Sequence, residues 1–222
     1  MPRMNIPTLL TTLRLLAAPG LAVMFLFFAR PYADWFALVL FLGAAITDWF
    51  DGYLARMWKQ ETRMGAMLDP IADKAMVVIA LSVILGYSSM SPWLVLPTTM
   101  ILFREVFVSG LREYLGNVSG TLKVTKLAKW KTTAQMVAIA VLFSQGIFEH
   151  HLGVASWGID PEQFDAILTG RMPDPQGLRW TAKAVEWSGR AGLWLLWIAA
   201  GLTLVTGYDY FRKALPHLKE VR

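Results

Sequence analysis

The sequence predicts an all-α integral membrane protein, a bundle of six transmembrane helices with both termini in the cytoplasm. Three observations carry that expectation. Hydrophobic residues make up 55% of the 222 residues and charged ones only 17%, whereas an ordinary globular chain is about 25% charged. Six apolar stretches approach the roughly 20 residues a helix needs to cross a bilayer. Lys and Arg gather on one side of those stretches, so the net charge of +5 has to be read by location. The same composition excludes intrinsic disorder. The absence of cysteine excludes a disulfide scaffold, thiolate metal ligands and a thiol nucleophile.

The six stretches run over residues 9–28, 35–52, 72–87, 93–111, 133–148 and 191–208. Several are short of a full crossing, so their ends extend into flanking polar residues. The second is expected to continue as helix past Asp48 and Asp51 toward Met57. The opening Met-Pro-Arg-Met-Asn-Ile-Pro lacks a signal-peptide cleavage pattern, and the first span is expected to be retained. With six spans both ends share a side, and Arg3, Arg56, Lys59, Arg63, Arg112, Lys123, Lys126, Lys129, Lys131, Arg212, Lys213, Lys219 and Arg222 fall on it. Positive loops stay inside, which places the termini in the cytoplasm.

Residues 147–190 depart from the charge rule, which long loops obey weakly. They read as an extra-cytoplasmic insertion between the fifth and sixth spans of a single membrane-embedded catalytic domain covering 1–222. Within them, Asp160 as N-cap and Pro161 in the first turn predict a short helix through Leu168. The stretch from Arg171 to Gly177 reads as turn.

Four aspartates stand where membrane helices should carry none. Asp48 and Asp51 are three apart and Asp69 and Asp73 four apart, so each pair shares one helical face. A short turn between the two helices makes them antiparallel neighbours, which would let the pairs converge. Carboxylates crowded in a partly dehydrated site stay ionised only when cations neutralise them. All-oxygen donors suit Mg²⁺ or Mn²⁺, held through carboxylates plus substrate phosphates. Gly52 and Ala55 leave a surface nearly bare of side chains beside them. Taken singly, each residue has a structural reading: Asp69-Pro70 as a helix start, Asp48 as an ion-pair partner of Arg56 or Lys74, Gly52 as a packing contact. The joint order is what points to chemistry.

The order Asp48-x₂-Asp51-Gly52-x₂-Ala55-Arg56-x₈-Gly65-x₃-Asp69-x₃-Asp73 resembles the complete signature of the CDP-alcohol phosphatidyltransferases. That resemblance implies a six-helix, usually homodimeric membrane fold with a two-metal site open to the cytoplasm, in a bacterial cytoplasmic membrane. It implies that Asp48, Asp51, Asp69 and Asp73 bind two divalent ions, Mg²⁺ or Mn²⁺, and that Asp73 is the general base. It places Asp48, Asp51, Gly52, Ala55 and Arg56 against the cytidine diphosphate group, with Asn5 and Thr8 near the nucleotide. The implied reaction is direct attack of an alcohol on phosphorus with CMP leaving.

The acceptor has to be read outside the signature. Arg104-Glu105 interrupts an apolar stretch, and an ionisable residue inside a span is a functional candidate. Arg112, Lys129 and Lys131 join Arg104 as candidates for holding a second anion, since arginine forks onto phosphate oxygens. Lys123 and Lys126 read instead as positive-inside residues meeting lipid headgroups. The segments Asn5 to Thr11 with Arg14, Arg104-Glu105, Leu111-Arg112-Glu113 and Lys129 to Gln135 are similar to the bacterial branch of the family that makes phosphatidylglycerol phosphate. CDP-diacylglycerol and sn-glycerol 3-phosphate are then the expected substrates. Membrane lipids and a second copy of the chain are expected partners, and nucleic acid is not. Inositol phosphate, serine or phosphatidylglycerol are alternative acceptors, although an uncharged one leaves the basic residues without a purpose. A divalent-cation transporter is the alternative from another class. It predicts carboxylates near mid-membrane with an exit on the far side.

Overall fold

The structure, a computed structural model, describes residues 6–58, 62–116, 120 and 126–219; side chains are described for all of these except 6, 7, 48–56, 58, 63, 126, 128, 129 and 219. Among the described residues every regular element is a helix: α1 (Ile6–Phe27), α2 (Tyr32–Trp58), α3 (Arg63–Tyr87), α4 (Pro92–Leu115), α5 (Lys126–Ala155), α6 (Pro161–Leu168) and α7 (Leu178–Lys219). Four of them contain stretches long and apolar enough to cross a membrane: Thr8–Phe27, Pro92–Leu115, Trp130–Ala155 and Leu178–Leu218. The apolar part of α2 is shorter, Tyr32–Thr47. Six spans were expected, and the difference lies in α2 and α3. These helices are 27 and 25 residues long, but the aspartates and basic residues of the signature occupy the end of one and the start of the other.

The helices outrun the expected spans in other places. Asp69-Pro70 does not open a helix, because α3 already begins at Arg63 and Pro70 lies inside it. Of the segment 147–190 expected to be a loop, α5 takes residues up to Ala155 and α7 those from Leu178 onward. No proline interrupts α7 before Pro216, and an Arg190–Glu186 pair one turn apart at 2.8 Å supports its charged first part. At 42 residues α7 is about 63 Å long, roughly twice the hydrocarbon thickness. The short helix after Asp160 forms as expected, although the Asp160 side chain makes no capping hydrogen bond. Asp174 does cap: its carboxylate accepts the Leu178 and Arg179 amides at 2.7 and 2.9 Å. Those bonds, the Arg179 amide first and against the opposing effect of burial, hold the Asp174 carboxyl below its ordinary value.

Two compact units make up the chain, residues 1–84 with 140–192 and residues 85–139 with 193–222. In the first, α1 packs along α2. Ala18, Leu21 and Phe25 of α1 are buried, as are Ala33, Ala37, Phe41 and Ala44 of α2, each set recurring at helical spacing. The alanines permit close approach of backbones, and Phe143 of α5 packs its ring on those of Phe25 and Phe41, 6.0 and 6.1 Å between centroids. Arg30 forks onto Asp34 at 2.7 and 2.8 Å, with Asp34 almost fully buried. Gly146 of α5 makes room for this pair, since a Cβ there would collide with Arg30 Nη2 and Asp34 Oδ1.

In the second unit Val108, Leu111 and Leu115 of α4 meet Tyr210 and Ala214 of α7, with Phe211 and Leu218 against them. Pro92 opens α4 at its first turn, where its missing N–H costs nothing. Gly116 closes it at a φ of 50°, its amide bonding to the Arg112 and Glu113 carbonyls. Near the start of α4, Trp197 Nε1 donates to the Trp93 carbonyl at 3.0 Å, with the two indoles edge to face.

Candidate active site

Thr8, Thr11 and Arg14 recur every three residues along α1 and form a buried polar stripe on an otherwise apolar helix. Buried polar groups have to find partners, and these find them around α3. Thr8 Oγ1 lies 2.8 Å from Thr62 Oγ1, which accepts the Gly65 amide at 3.0 Å. A Cβ on Gly65 would press to 3.0 Å on Thr62 Oγ1 and 3.3 Å on Thr8 Oγ1, so glycine is what admits both hydroxyls. Thr11 Oγ1 donates to Asp69 Oδ1 at 3.1 Å. Arg14 donates from Nη2 to the same oxygen at 2.8 Å, and its Nη1 lies 3.1 Å from Asp73 Oδ1.

Asp69 and Asp73 therefore share one face of α3, as their spacing implied, and one guanidinium spans them. Arg14 is sequestered while both carboxylates are open, with side-chain exposures of 4%, 43% and 53%. Both carboxylates thus keep part of their surface open beside the contact with Arg14. Such donors fit a hard divalent cation better than a soft one. Among the described residues no three His, Asp or Glu side chains converge on one point. Asp48, Asp51, Gly52, Ala55 and Arg56 lie on the helical backbone of α2, but their side chains, like that of Lys129, lie outside the described residues; Asn5 lies outside them entirely.

The second unit holds the other predicted cluster. Glu105 Oε1 accepts from Arg104 Nη1 at 3.0 Å and also bonds Lys131 Nζ. Arg104 and Glu105 meet although they are adjacent in sequence. All three side chains are largely buried, with exposures of 13% for Arg104, 14% for Glu105 and 8% for Lys131. Gly207 of α7 leaves space for the Arg104 stem, as a Cβ would sit 2.9 Å from its Cγ. Arg112 is exposed and lies over the Tyr210 ring, 5.2 Å from the centroid, within cation–π range. Arg104 and Lys131 are thus brought together, and Arg112 is placed about two turns along α4 from Arg104.

Gly207 and Tyr210 were not among the residues singled out from sequence, Thr11 and Arg14 entered only as part of a pattern, and Glu105 entered as the neighbour of Arg104 without a role of its own. A signal for Arg14 existed, since it is an ionisable residue inside the first apolar span. Glu105 carried the same signal, whereas Thr11, Gly207 and Tyr210 carried none, because each acts through a contact rather than a spacing.

Residues 4–161 match the family described as CDP-alcohol phosphatidyltransferase, a match that ends at the first residue of α6. A protein of Cereibacter sphaeroides, named CDP-diacylglycerol–glycerol-3-phosphate 3-phosphatidyltransferase, is 64% identical over 219 residues, covering 97% of this chain and 98% of its own length. Proteins of the same name from Salmonella choleraesuis and Shigella flexneri are 43% and 41% identical over 154 residues, 68% of this chain and 84% of theirs.

Proposed function

The chain belongs to the CDP-alcohol phosphatidyltransferase family, and on that premise we propose that it transfers a phosphatidyl group from CDP-diacylglycerol to sn-glycerol 3-phosphate. The products are phosphatidylglycerol phosphate and CMP. The observation that carries the reading is the 64% identity, across nearly the whole chain, to a relative named for that reaction. The four candidate spans, with α2 and α3 added, support six crossings of a bacterial cytoplasmic membrane in one catalytic domain. Both termini and the aspartates then face the cytoplasm, with the segment between α5 and α7 on the other side. A homodimer is part of the same reading.

Asp48, Asp51 and Asp69 would hold two divalent cations, Mg²⁺ or Mn²⁺, with Asp73 beside them. Such ions supply charge neutralisation at the diphosphate and at the leaving oxygen. Asn5, Thr8, Gly52, Ala55 and Arg56 border the nucleotide. Thr8 contributes by fixing Thr62 and, through it, the Gly65 amide. The Asp73 carboxylate takes the proton of the acceptor hydroxyl, whose oxygen bonds to the phosphorus bearing the diacylglycerol. The P–O bond to CMP breaks, and CMP leaves with the electron pair. Arg104, Arg112, Lys129 and Lys131 bind the phosphate of the acceptor, a dianion that explains cationic side chains set into apolar helices. The lipid tails stay in the bilayer, so access of CDP-diacylglycerol is lateral.

The test is CMP release by the purified full chain in detergent with CDP-diacylglycerol and Mg²⁺. Glycerol 3-phosphate is compared with inositol phosphate, serine and glycerol. Release with glycerol 3-phosphate alone is expected. Release with only another acceptor would overturn the assignment of the basic cluster, and no release from folded protein with any acceptor would overturn the reaction.

A further inference from the structure

Arg14 touches both described aspartates of the signature, and its geometry is that of a counter-ion rather than of a substrate contact. Its side chain is 4% exposed, and the contacts described for it are to protein carboxylates. Two separate nitrogens reach two separate carboxylates at 2.8 and 3.1 Å, and Thr11 backs the Asp69 oxygen that Arg14 holds. A guanidinium stays protonated at any working pH, so this charge is permanent.

A permanent positive charge at this distance changes what the aspartates can hold. Four carboxylates balance two divalent cations in full. Arg14, bonded to two of those carboxylates, adds one positive charge to that count, and like charges a few ångströms apart repel strongly in a partly dehydrated site. The diphosphate of the nucleotide substrate brings the negative charge that removes the excess. We propose that Arg14 is a built-in counter-cation that makes tight binding of divalent cations conditional on the arrival of the nucleotide diphosphate. The inference rests on the metal-site reading above and adds the order of assembly to it. In the empty site the guanidinium takes the place of a cation and keeps Asp69 and Asp73 from repelling each other. In the loaded site it penalises occupancy without substrate.

The probe is Mn²⁺, whose free concentration is read by electron paramagnetic resonance, titrated into the full chain in lipid nanodiscs with and without CDP-diacylglycerol and with no acceptor. In the parent, CDP-diacylglycerol should tighten Mn²⁺ binding by about tenfold or more, within the usual range of coupling between sites. In Arg14→Gln, Mn²⁺ alone should bind about tenfold tighter than in the parent, and the effect of CDP-diacylglycerol should shrink to about threefold or less. Arg14→Lys keeps the charge but gives up the two-pronged reach, and because the proposal assigns the effect to charge it should stay within about threefold of the parent in both conditions. Thermal melts with Mg²⁺ present check that each variant is folded. An Arg14→Gln affinity equal to or weaker than the parent's would overturn the proposal. So would an Arg14→Lys affinity displaced by tenfold in either direction, which remains readable if the glutamine variant does not fold. A parent that binds no Mn²⁺ with or without nucleotide would instead overturn the metal-site reading itself.

Discussion

Replacing Glu105 by glutamine tests the basic cluster most directly, because it removes a charge and almost no volume. In the parent one oxygen, Oε1, serves Arg104 and Lys131 together. Two cations bonded to one oxygen lie within about 5 Å of each other, which at an effective dielectric constant of about 20 is a repulsion of roughly 3–4 kcal/mol. The carboxylate offsets that repulsion and an amide does not. Breaking a buried ion pair by removing one partner costs about 3–5 kcal/mol in general, so the two routes agree near 3 kcal/mol once side chains relax. For a chain of this size, that corresponds to a Tm lower by about 6–12 °C. The assay is thermal unfolding in detergent, repeated with glycerol 3-phosphate and with glycerol. An anion that occupies the cluster replaces the lost charge, so glycerol 3-phosphate should raise the Tm of Glu105→Gln more than that of the parent. A ligand present at about 100 times its Kd contributes about 2.7 kcal/mol, enough to recover most of the loss, and glycerol should do nothing. An unchanged Tm would refute the electrostatic argument. A lowered Tm that glycerol 3-phosphate raises no further than in the parent would refute the cluster as a phosphate site.

Three other outcomes follow from the geometry. Asp73→Asn should lower turnover by about 10²–10⁴-fold, the usual contribution of a positioned base, while CDP-diacylglycerol binding stays near the parent's; unimpaired CMP release would remove Asp73 from that role. Gly146→Ala drives a methyl group into the Arg30–Asp34 pair. Losing that pair costs about 3–5 kcal/mol, reduced by about 1 kcal/mol of helix propensity gained, for a net loss near 2–4 kcal/mol that thermal melts would register; an unaltered Tm would mean that α5 shifts freely. Asp174 has its carboxyl held below the ordinary value by the Arg179 and Leu178 amides, so its charged form stabilises the folded state above the unfolded value of about 3.9, and that stabilisation is lost as pH falls through the lower folded value. Asp174→Asn should therefore lower the Tm by a constant amount between about pH 5 and 7, with the gap closing below about pH 4; a gap that widened in acid would reverse the argument.

What the sequence made legible was what repeats or is spaced. Asp69 and Asp73 declare a shared helix face by interval alone. Asp160-Pro161 announces the start of α6 by local chemistry. Helix ends were less legible where composition and structure part company: α7 begins among Arg179, Lys183 and Arg190, residues that read as a charged loop until Glu186 is seen to pair along the helix. Contacts were not legible at all. Arg14 and Asp69 are 55 positions apart, and Glu105 and Lys131 are 26 apart, so no local pattern joins them.

The two contact clusters, each taken within its own unit, follow one electrostatic rule with the signs exchanged. In the first, a single buried guanidinium holds two open carboxylates, leaving a net negative charge on the exposed side. In the second, a single buried carboxylate holds an arginine and a lysine, leaving a net positive charge. Counting only these contacts among the described residues, neither cluster is neutral and neither carries the full charge of its majority residues, which burial would make costly. On those contacts alone, the first is one positive charge short of balance and the second one negative charge short. The sign of the imbalance suits a cation in the first case and a phosphate in the second, the two kinds of charged group that the proposed reaction has to bring in. Arg14 and Glu105 are the residues that set those imbalances. Substitutions that change their charge should therefore alter ligand affinity, while substitutions that change only their reach should alter it little.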